Sequence, residues 1–322
     1  MRAIRPRQTG GPEQLVLEDF VTPAPGASEA LVRVGAAGVN YIDVYHRTGL
    51  YPLPLPVPIG LEGAGTVEQI GRDVHDVRVG DRVAWASVPG SYASHVVAPA
   101  EKLVPIPDGV ETEIAAALLL QGMTVHYLTQ TIFPLASGHT ALVHAAAGGV
   151  GLLLIQIARR AGAQVIGTVS TEAKAALAKE AGADHVINYT TSNFATECKR
   201  LTGGRGVDVA YDSVGKSTFD GSLDCLAPRG HLVLFGQSSG VVPAFDPARL
   251  ARGSYSLTRP TLVHYTATRA ELLARSSDLF DWVAAGSLRV HVDRTFPLAQ
   301  AAEAHRALTG RATTGKVLLI PG

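Results

Sequence analysis

Seven small residues, Ala145-Ala146-Ala147-Gly148-Gly149-Val150-Gly151, run out of the apolar stretch TALVHA and into GGVGLLLIQIARRAG. The first stretch predicts a strand and the second a buried helix ended by Gly162. Small residues in the spacing Ala145-x-x-Gly148-x-x-Gly151 permit a tight turn and a close backbone approach to a pyrophosphate. The helix start behind them offers unpaired N–H groups and the positive end of a dipole. The expected ligand is a dinucleotide, held at Ala147, Gly148, Gly149 and Val150. An acidic residue about 20 positions on would mark a ribose 2′-hydroxyl. That place holds Val169-Ser170-Thr171, with Lys174 one helical turn later. Two hydroxyls and a cation suit a 2′-phosphate, so NADPH is expected over NADH. Glu172 is the one nearby carboxylate that competes for a ribose.

The surrounding elements must put that loop at a sheet edge. From Thr140 the chain alternates apolar strand-like runs with helical ones, through AQVIGTVS, TEAKAALAKEAGA, HVINY, NFATECKRLTGG, GVDVAYDSVG, STFDGSLDCLAPRG and HLVLFGQSSG. This order predicts βαβ units and a parallel sheet covered on both faces. Tyr189 and Ser213 then end strands at the carboxyl edge, where such sheets bind ligands. Before residue 120 the pattern is different. EALVRVGAAGV, GAGTVEQIG, GDRVAWA and SYASHVVA read as short strands between Gly and Pro turns, as in a barrel or sandwich. The alternate prolines of YPLPLPVP make an extended loop. PDGVETEIAAALLLQGMTVHYLTQ predicts a helix broken at Gly122. The last 60 residues predict an amphipathic helix over TRAELLARSSDLFDWVAAGSL, then strand, helix, strand.

Composition narrows the function classes. Of 322 residues, 28 are basic and 28 acidic, so the basic excess of a nucleic-acid binder is absent. Apolar residues reach 46%, enough for well-filled cores, and their longest runs fall far short of the ~20 needed to span a bilayer. The start of the chain shows no apolar leader, and the expectation is a cytoplasmic protein. Two cysteines, Cys198 and Cys225, are too few for a disulfide framework or a thiolate zinc site. The eleven histidines form no metal-spaced pair, and His46 with Glu62 is the only conceivable remnant of a metal site. No metal is expected.

Ordered along the chain stand GGPEQL, GVNYIDVYHRTGLYP, GLEGAGTV, GDRVAW, GMTVHYL, HAAAGGVG, VINY, YDSVG, LFGQSSG and TRPTL. In this combination the chain resembles, over its full length, the zeta-crystallin-like NADPH:quinone oxidoreductases of the medium-chain dehydrogenase/reductase superfamily. The resemblance implies an α/β fold: a GroES-like β-rich catalytic domain over 1–123 and 265–322, with a Rossmann NADP-binding domain inserted over 124–264. Zinc-dependent relatives carry a cysteine where this chain has Asn40, and His-Glu where it has Leu61-Glu62.

The resemblance also implies site residues. Asn40 and Tyr45 should face the nicotinamide end, Tyr51 should line the acceptor cleft, and Thr124 should contact the nicotinamide region. Phe235, Gln237 and Ser238 should pass beneath the nicotinamide, Gly236 should permit a close backbone approach to the cofactor, and Arg311 should reach the 2′-phosphate. His126 and His144 are read as structural histidines, and Cys225 as buried packing.

Without a Lewis acid, the acceptor must already be electron-poor. A quinone fits, because hydride addition restores aromaticity and water protonates the oxygens. A conjugated enone or enoyl thioester fits if a general acid, such as Tyr51, protonates carbon. A non-catalytic NADPH-binding redox sensor is the third reading. The segment GSYSLTRPTL (253–262) suggests a sheet edge that pairs in a homodimer.

Overall fold

The computed structural model describes residues 1–322, which form two compact units, Met1–Met123 with Thr266–Gly322, and Thr124–Tyr265. Tyr265 lies in the second unit, where its ring stacks on Tyr127 at 4.3 Å. The boundary near residue 123 falls inside the helix Thr112–Tyr127. No helix is long and apolar enough to cross a membrane.

The first unit is built on a seven-stranded, mostly antiparallel sheet. The strand Glu29–Val39 is its centre. Lys316–Ile320 and Glu62–Ile70 flank it, and His95–Pro99 also pairs with its first half. Beyond them lie Val292–Pro297 on one side and Arg82–Ala86, then Val104–Pro105, on the other. Register shifts between Leu31 and Val32, and between Val34 and Ala36, bend the central strand. It can therefore pair with strands on both halves of a curled sheet. The core inside this curl includes Trp85, Tyr92, Val32, Leu103 and Leu319. The Trp85 indole keeps its N–H satisfied by donating to Ser91 Oγ at 2.8 Å.

The second unit is a six-stranded, all-parallel sheet. Its strands in chain order are Thr140–Val143, Gln164–Val169, His185–Asn188, Val207–Asp212, Leu226–Leu234 and Ser256–Thr258. Across the sheet they lie third, second, first, fourth, fifth, sixth. This is the doubly wound order, whose direction reverses between the first and fourth strands.

Three local readings change. The helix Thr112–Tyr127 runs straight through Gly122. A Cβ there would lie 2.9 Å from both Leu118 Cδ1 and Leu279 Cδ1, so the glycine serves close packing against the helix Arg269–Ala284. The helix expected to run through Gly230 covers only Phe219–Cys225. Pro228 has no N–H for a helix, and Leu226 already opens the next strand. SYASHVVA becomes a strand only from His95, because the N–H groups of Ser91 and Tyr92 bond to the Gly60 and Ile59 carbonyls.

Candidate functional site

In the second unit the predicted loop lies between strand and helix. Gly148 caps the helix Gly149–Arg160 in extended backbone, with no side chain taking the first N–H groups. The turn is so tight that Ala145 takes a left-handed φ of 49° and Gly148 N–H donates to the Ala145 carbonyl at 2.8 Å. A Cβ on Gly151 would strike the carbonyl oxygens of Ala145 and Ala146. Ala147 is buried beneath the turn, while Gly148, Gly149 and Val150 remain partly open. The cradle therefore fits a diphosphate: small, with open backbone donors at a helix start.

At the end of the neighbouring strand, Thr171 caps the helix Glu172–Glu180 and its Oγ1 accepts from Lys174 N–H. Ser170, Thr171 and Lys174 thus share one helix entry. Glu172 is engaged elsewhere, accepting from Asn188 Nδ2 at 3.4 Å. Tyr189 follows the third strand and its N–H bonds to the Val169 carbonyl. This donor set fits a 2′-phosphorylated dinucleotide.

The fourth strand ends in Asp212, which is fully buried. Its Oδ1 accepts from Val214 N–H, Gly215 N–H and Thr218 Oγ1 at 2.8–2.9 Å, and its Oδ2 accepts from Ser222 Oγ at 2.8 Å. One carboxylate thereby shapes the loop that begins at Ser213. His144 continues the chain of contacts, with Nε2 3.0 Å from Ser222 Oγ and Nδ1 3.0 Å from Thr168 Oγ1. Ser222 gives its only proton to Asp212, so His144 must donate from Nε2 and accept at Nδ1. Burial holds its pKa below the ordinary imidazole range, against the opposing charge of Asp212. Here His144 is structural. The loop Phe235–Ser238 is tied to the same place: Phe235 N–H bonds to the Asp212 carbonyl, and Ser238 N–H to that of Ser213. A Cβ on Gly236 would lie 2.5 Å from the Ser213 carbonyl oxygen, which explains the glycine.

In the first unit the register builds a buried polar group. Val317 pairs with Val39, and Gly38 pairs with Glu62. The next rung therefore brings Lys316 beside Asn40, with Glu62 beneath them. Lys316 Nζ lies 2.5 Å from Glu62 Oε2 and 2.8 Å from Asn40 Oδ1. Asn40 Nδ2 donates to Glu62 Oε2 at 2.8 Å and to the Gly38 carbonyl at 3.3 Å, and Gln121 Nε2 donates to Asn40 Oδ1. Glu62 Oε1 accepts from Leu120 N–H at 2.6 Å. A Cβ on Gly38 would strike the Glu62 carboxylate.

Asn40 also caps the helix Tyr41–Thr48, where its N–H donates to Asp43 Oδ2 at 2.8 Å. Tyr92 Oη donates to the same oxygen at 2.9 Å and lies 2.9 Å from His305 Nε2. His305 Nδ1 is 3.2 Å from Arg47 Nη1. The helix is thus fastened from inside at both ends. It carries Tyr45, whose ring meets Tyr51 edge-on at 5.0 Å and Tyr41 at 5.7 Å. The structure therefore pairs Tyr45 with Tyr51, and Asn40 is joined to them through the helix it caps. Arg311, also in this unit, is exposed after the helix Ala301–Thr309, with a left-handed φ of 58°. Thr124 is buried on its helix. His46 forms no pair with Glu62, both of whose oxygens are taken by other partners, and His46 Nδ1 is buried without a hydrogen bond.

Sequence reading missed Lys316, Gln121, Asp43, Tyr92, His305 and Asp212. The available signals were a lysine opening the apolar strand KVLLI and a carboxylate closing VDVAYD.

Two of these groups titrate in opposite senses. Burial pushes the Asp43 carboxyl up to about 7, although the hydrogen bonds from Asn40 and Tyr92 oppose it. Burial, and then the charge of Arg47, pushes His305 down to about 3. A raised carboxyl favours the folded chain below its unfolded value and loses that contribution as pH rises toward 7. A depressed imidazole contributes fully above its unfolded value and loses the contribution as pH falls toward 3. Between about pH 4 and 6 the two slopes oppose each other. His305→Gln removes one of them, so the slope of unfolding free energy against pH should fall by about 1.4 kcal/mol per unit in that window. Denaturant titrations across that range read it, and parallel curves for both proteins would contradict the assignment.

Residues 26–108 match the alcohol dehydrogenase GroES-like domain and residues 149–277 the zinc-binding dehydrogenase family. The donors here do not fit a zinc ion. No three His, Cys, Asp or Glu side chains are grouped to hold one, and an ammonium already occupies the Asn40–Glu62 corner. The chain is 47% identical to a quinone oxidoreductase of Pseudomonas aeruginosa, over 97% of each chain. It is 44% identical to a 2-haloacrylate reductase of a Burkholderia species, over 97% of this chain and 96% of that one. The solved structure of Escherichia coli quinone oxidoreductase complexed with NADPH is 43% identical, with a TM-score of 0.98 over the full length of both.

Proposed function

The chain belongs to the quinone oxidoreductases of the medium-chain dehydrogenase/reductase superfamily, and from that premise we propose that it reduces a quinone with NADPH, without a metal ion. The observation that carries this reading is the strand end at Ser170, Thr171 and Lys174, where two hydroxyls and a lysine share one helix entry and the one carboxylate, Glu172, accepts from Asn188 Nδ2. NADPH, when bound, supplies the hydride.

The 124–265 unit is the nucleotide-binding domain, and the other unit is the catalytic domain. The backbone of Ala147, Gly148, Gly149 and Val150 would hold the diphosphate. Ser170, Thr171 and Lys174, with Arg311, would hold the 2′-phosphate. Thr124, Tyr189, Ser213, Phe235, Gly236, Gln237 and Ser238 would line the remaining length of the cofactor. Asn40 and Tyr45 orient the nicotinamide end, and Tyr51 meets the acceptor. A quinone needs no proton at carbon, so the chain's task is to align the acceptor and exclude water. The Tyr45 and Tyr51 phenols supply hydrogen bonds to its oxygens.

The 2-haloacrylate reductase among the relatives favours a second reading, a conjugated alkene acceptor with Tyr51 as the proton source. Steady-state kinetics decide between them. The expected result is a kcat/KM higher for NADPH than for NADH, with turnover of 1,4-naphthoquinone and none of crotonyl thioesters or simple enones. Turnover of the enones alone would replace the first reading by the second, and NADPH binding without any turnover would leave a redox sensor.

A second copy pairing on the edge strand Ser256–Thr258 would make a cytoplasmic homodimer. Light scattering at micromolar concentration should give twice the chain mass, and the mass of one chain would refute the pairing.

A further inference from the structure

The Asn40 carboxamide has a single orientation that its neighbours accept. Its Oδ1 faces the Lys316 ammonium and the Gln121 amide N–H, while its Nδ2 faces the Glu62 carboxylate and the Gly38 carbonyl. Turning it over would set NH2 against an ammonium and a carbonyl oxygen against a carboxylate. Lys316 and Glu62 are 1% and 0% exposed, and a buried ion pair of this kind is a poor source of stability compared with apolar packing. What the pair provides here is direction. It fixes Asn40, which in turn starts the helix carrying Tyr45 and leads to Tyr51.

We propose that Lys316 is a positioning residue for hydride transfer: with Glu62 it clamps the Asn40 carboxamide and thereby sets the Asn40–Tyr51 segment. The proposal rests on the reading that this segment meets the nicotinamide and the acceptor. Lys316 touches neither. Its ammonium acts through Asn40, at the corner where zinc-dependent relatives place metal ligands, and it occupies that corner with a charge built into the chain.

The experiment compares Lys316→Met with the double variant Lys316→Met/Glu62→Gln. The single variant leaves a carboxylate buried and unpaired, so it is expected to melt far below the parent. The double variant removes both charges, and most of the melting temperature should return. Its kcat with a quinone should stay about 10- to 100-fold below the parent, with the KM for NADPH within a few-fold, because alignment and not binding is lost. A crystal structure of the double variant should show the Asn40 carboxamide turned or displaced. A double variant with parental kcat, or with Asn40 unmoved, would overturn the proposal. If the parent itself turns over no quinone, the functional reading fails instead, and the position of Asn40 still decides whether the clamp exists.

Discussion

Gly151→Ala is expected to raise the Kd for NADPH about 100-fold, while Gly148→Ala raises it only a few-fold. Neither glycine has a left-handed φ, so the contrast is one of space and not of backbone strain. An alanine Cβ at 151 would collide with two backbone carbonyl oxygens, those of Ala145 and Ala146, and these belong to the turn itself. The turn has nowhere to retreat, because Ala146 N–H is bonded to the Thr168 carbonyl and its Cβ already fills the space over Gly167. The helix must therefore shift, carrying its open N–H groups away from the diphosphate. At Gly148 the added carbon meets only the Ala145 carbonyl oxygen, at 3.1 Å, which a small adjustment relieves. Fluorescence titration of NADPH against both variants measures the contrast, with circular dichroism confirming that each is folded. Equal affinities would remove the loop from the cofactor site.

The second large effect concerns stability. Asp212→Ala should lower the unfolding free energy by about 3 kcal/mol, since it strands the Val214 and Gly215 N–H groups and leaves the Thr218 and Ser222 hydroxyls only the Gly215 and Thr218 carbonyls. The Val214 and Gly215 N–H groups and the Thr218 and Ser222 hydroxyls all converge on this carboxylate. Asp212→Asn keeps one acceptor oxygen for the three donors at Oδ1 and should lose only about half as much. Its amide would oppose Ser222 Oγ, which would then have to turn its proton toward the Thr218 carbonyl 2.9 Å away. Chemical denaturation of the three proteins gives the ranking. An alanine variant as stable as the parent would mean that solvent reaches those donors.

Much of this architecture was legible in the sequence because it is written in local periodicity. Strand-like runs alternating with helical ones give the parallel sheet, and short runs between Gly and Pro give the other unit. The loop at Ala145–Gly151 was legible for the same reason, since its chemistry is contiguous. Gly122 misled because a glycine in a helix reads as a stop, whereas here it admits Leu279 from a helix more than a hundred residues later. The buried group around Asn40 was not legible beyond Asn40 itself. Lys316, Glu62 and Gln121 come from three separate places in the chain, and only strand register brings them together. Likewise, no local pattern joins Tyr92 to His305, because the barrel core and a late helix meet only after folding.

That register also has a consequence for how the chain is made. Lys316–Ile320 is not a peripheral strand. It lies between Val292–Pro297 and the central strand Glu29–Val39. It is also the last strand of its sheet to leave the ribosome, after the whole 124–265 unit has been synthesised. The 124–265 unit can close while translation continues. The first unit must wait with an open edge on Glu29–Val39, and with Glu62 lacking its cation, until residue 316 arrives. During that interval the nascent chain carries a sheet that lacks its last two strands, and its open edge is exposed to strand-to-strand association.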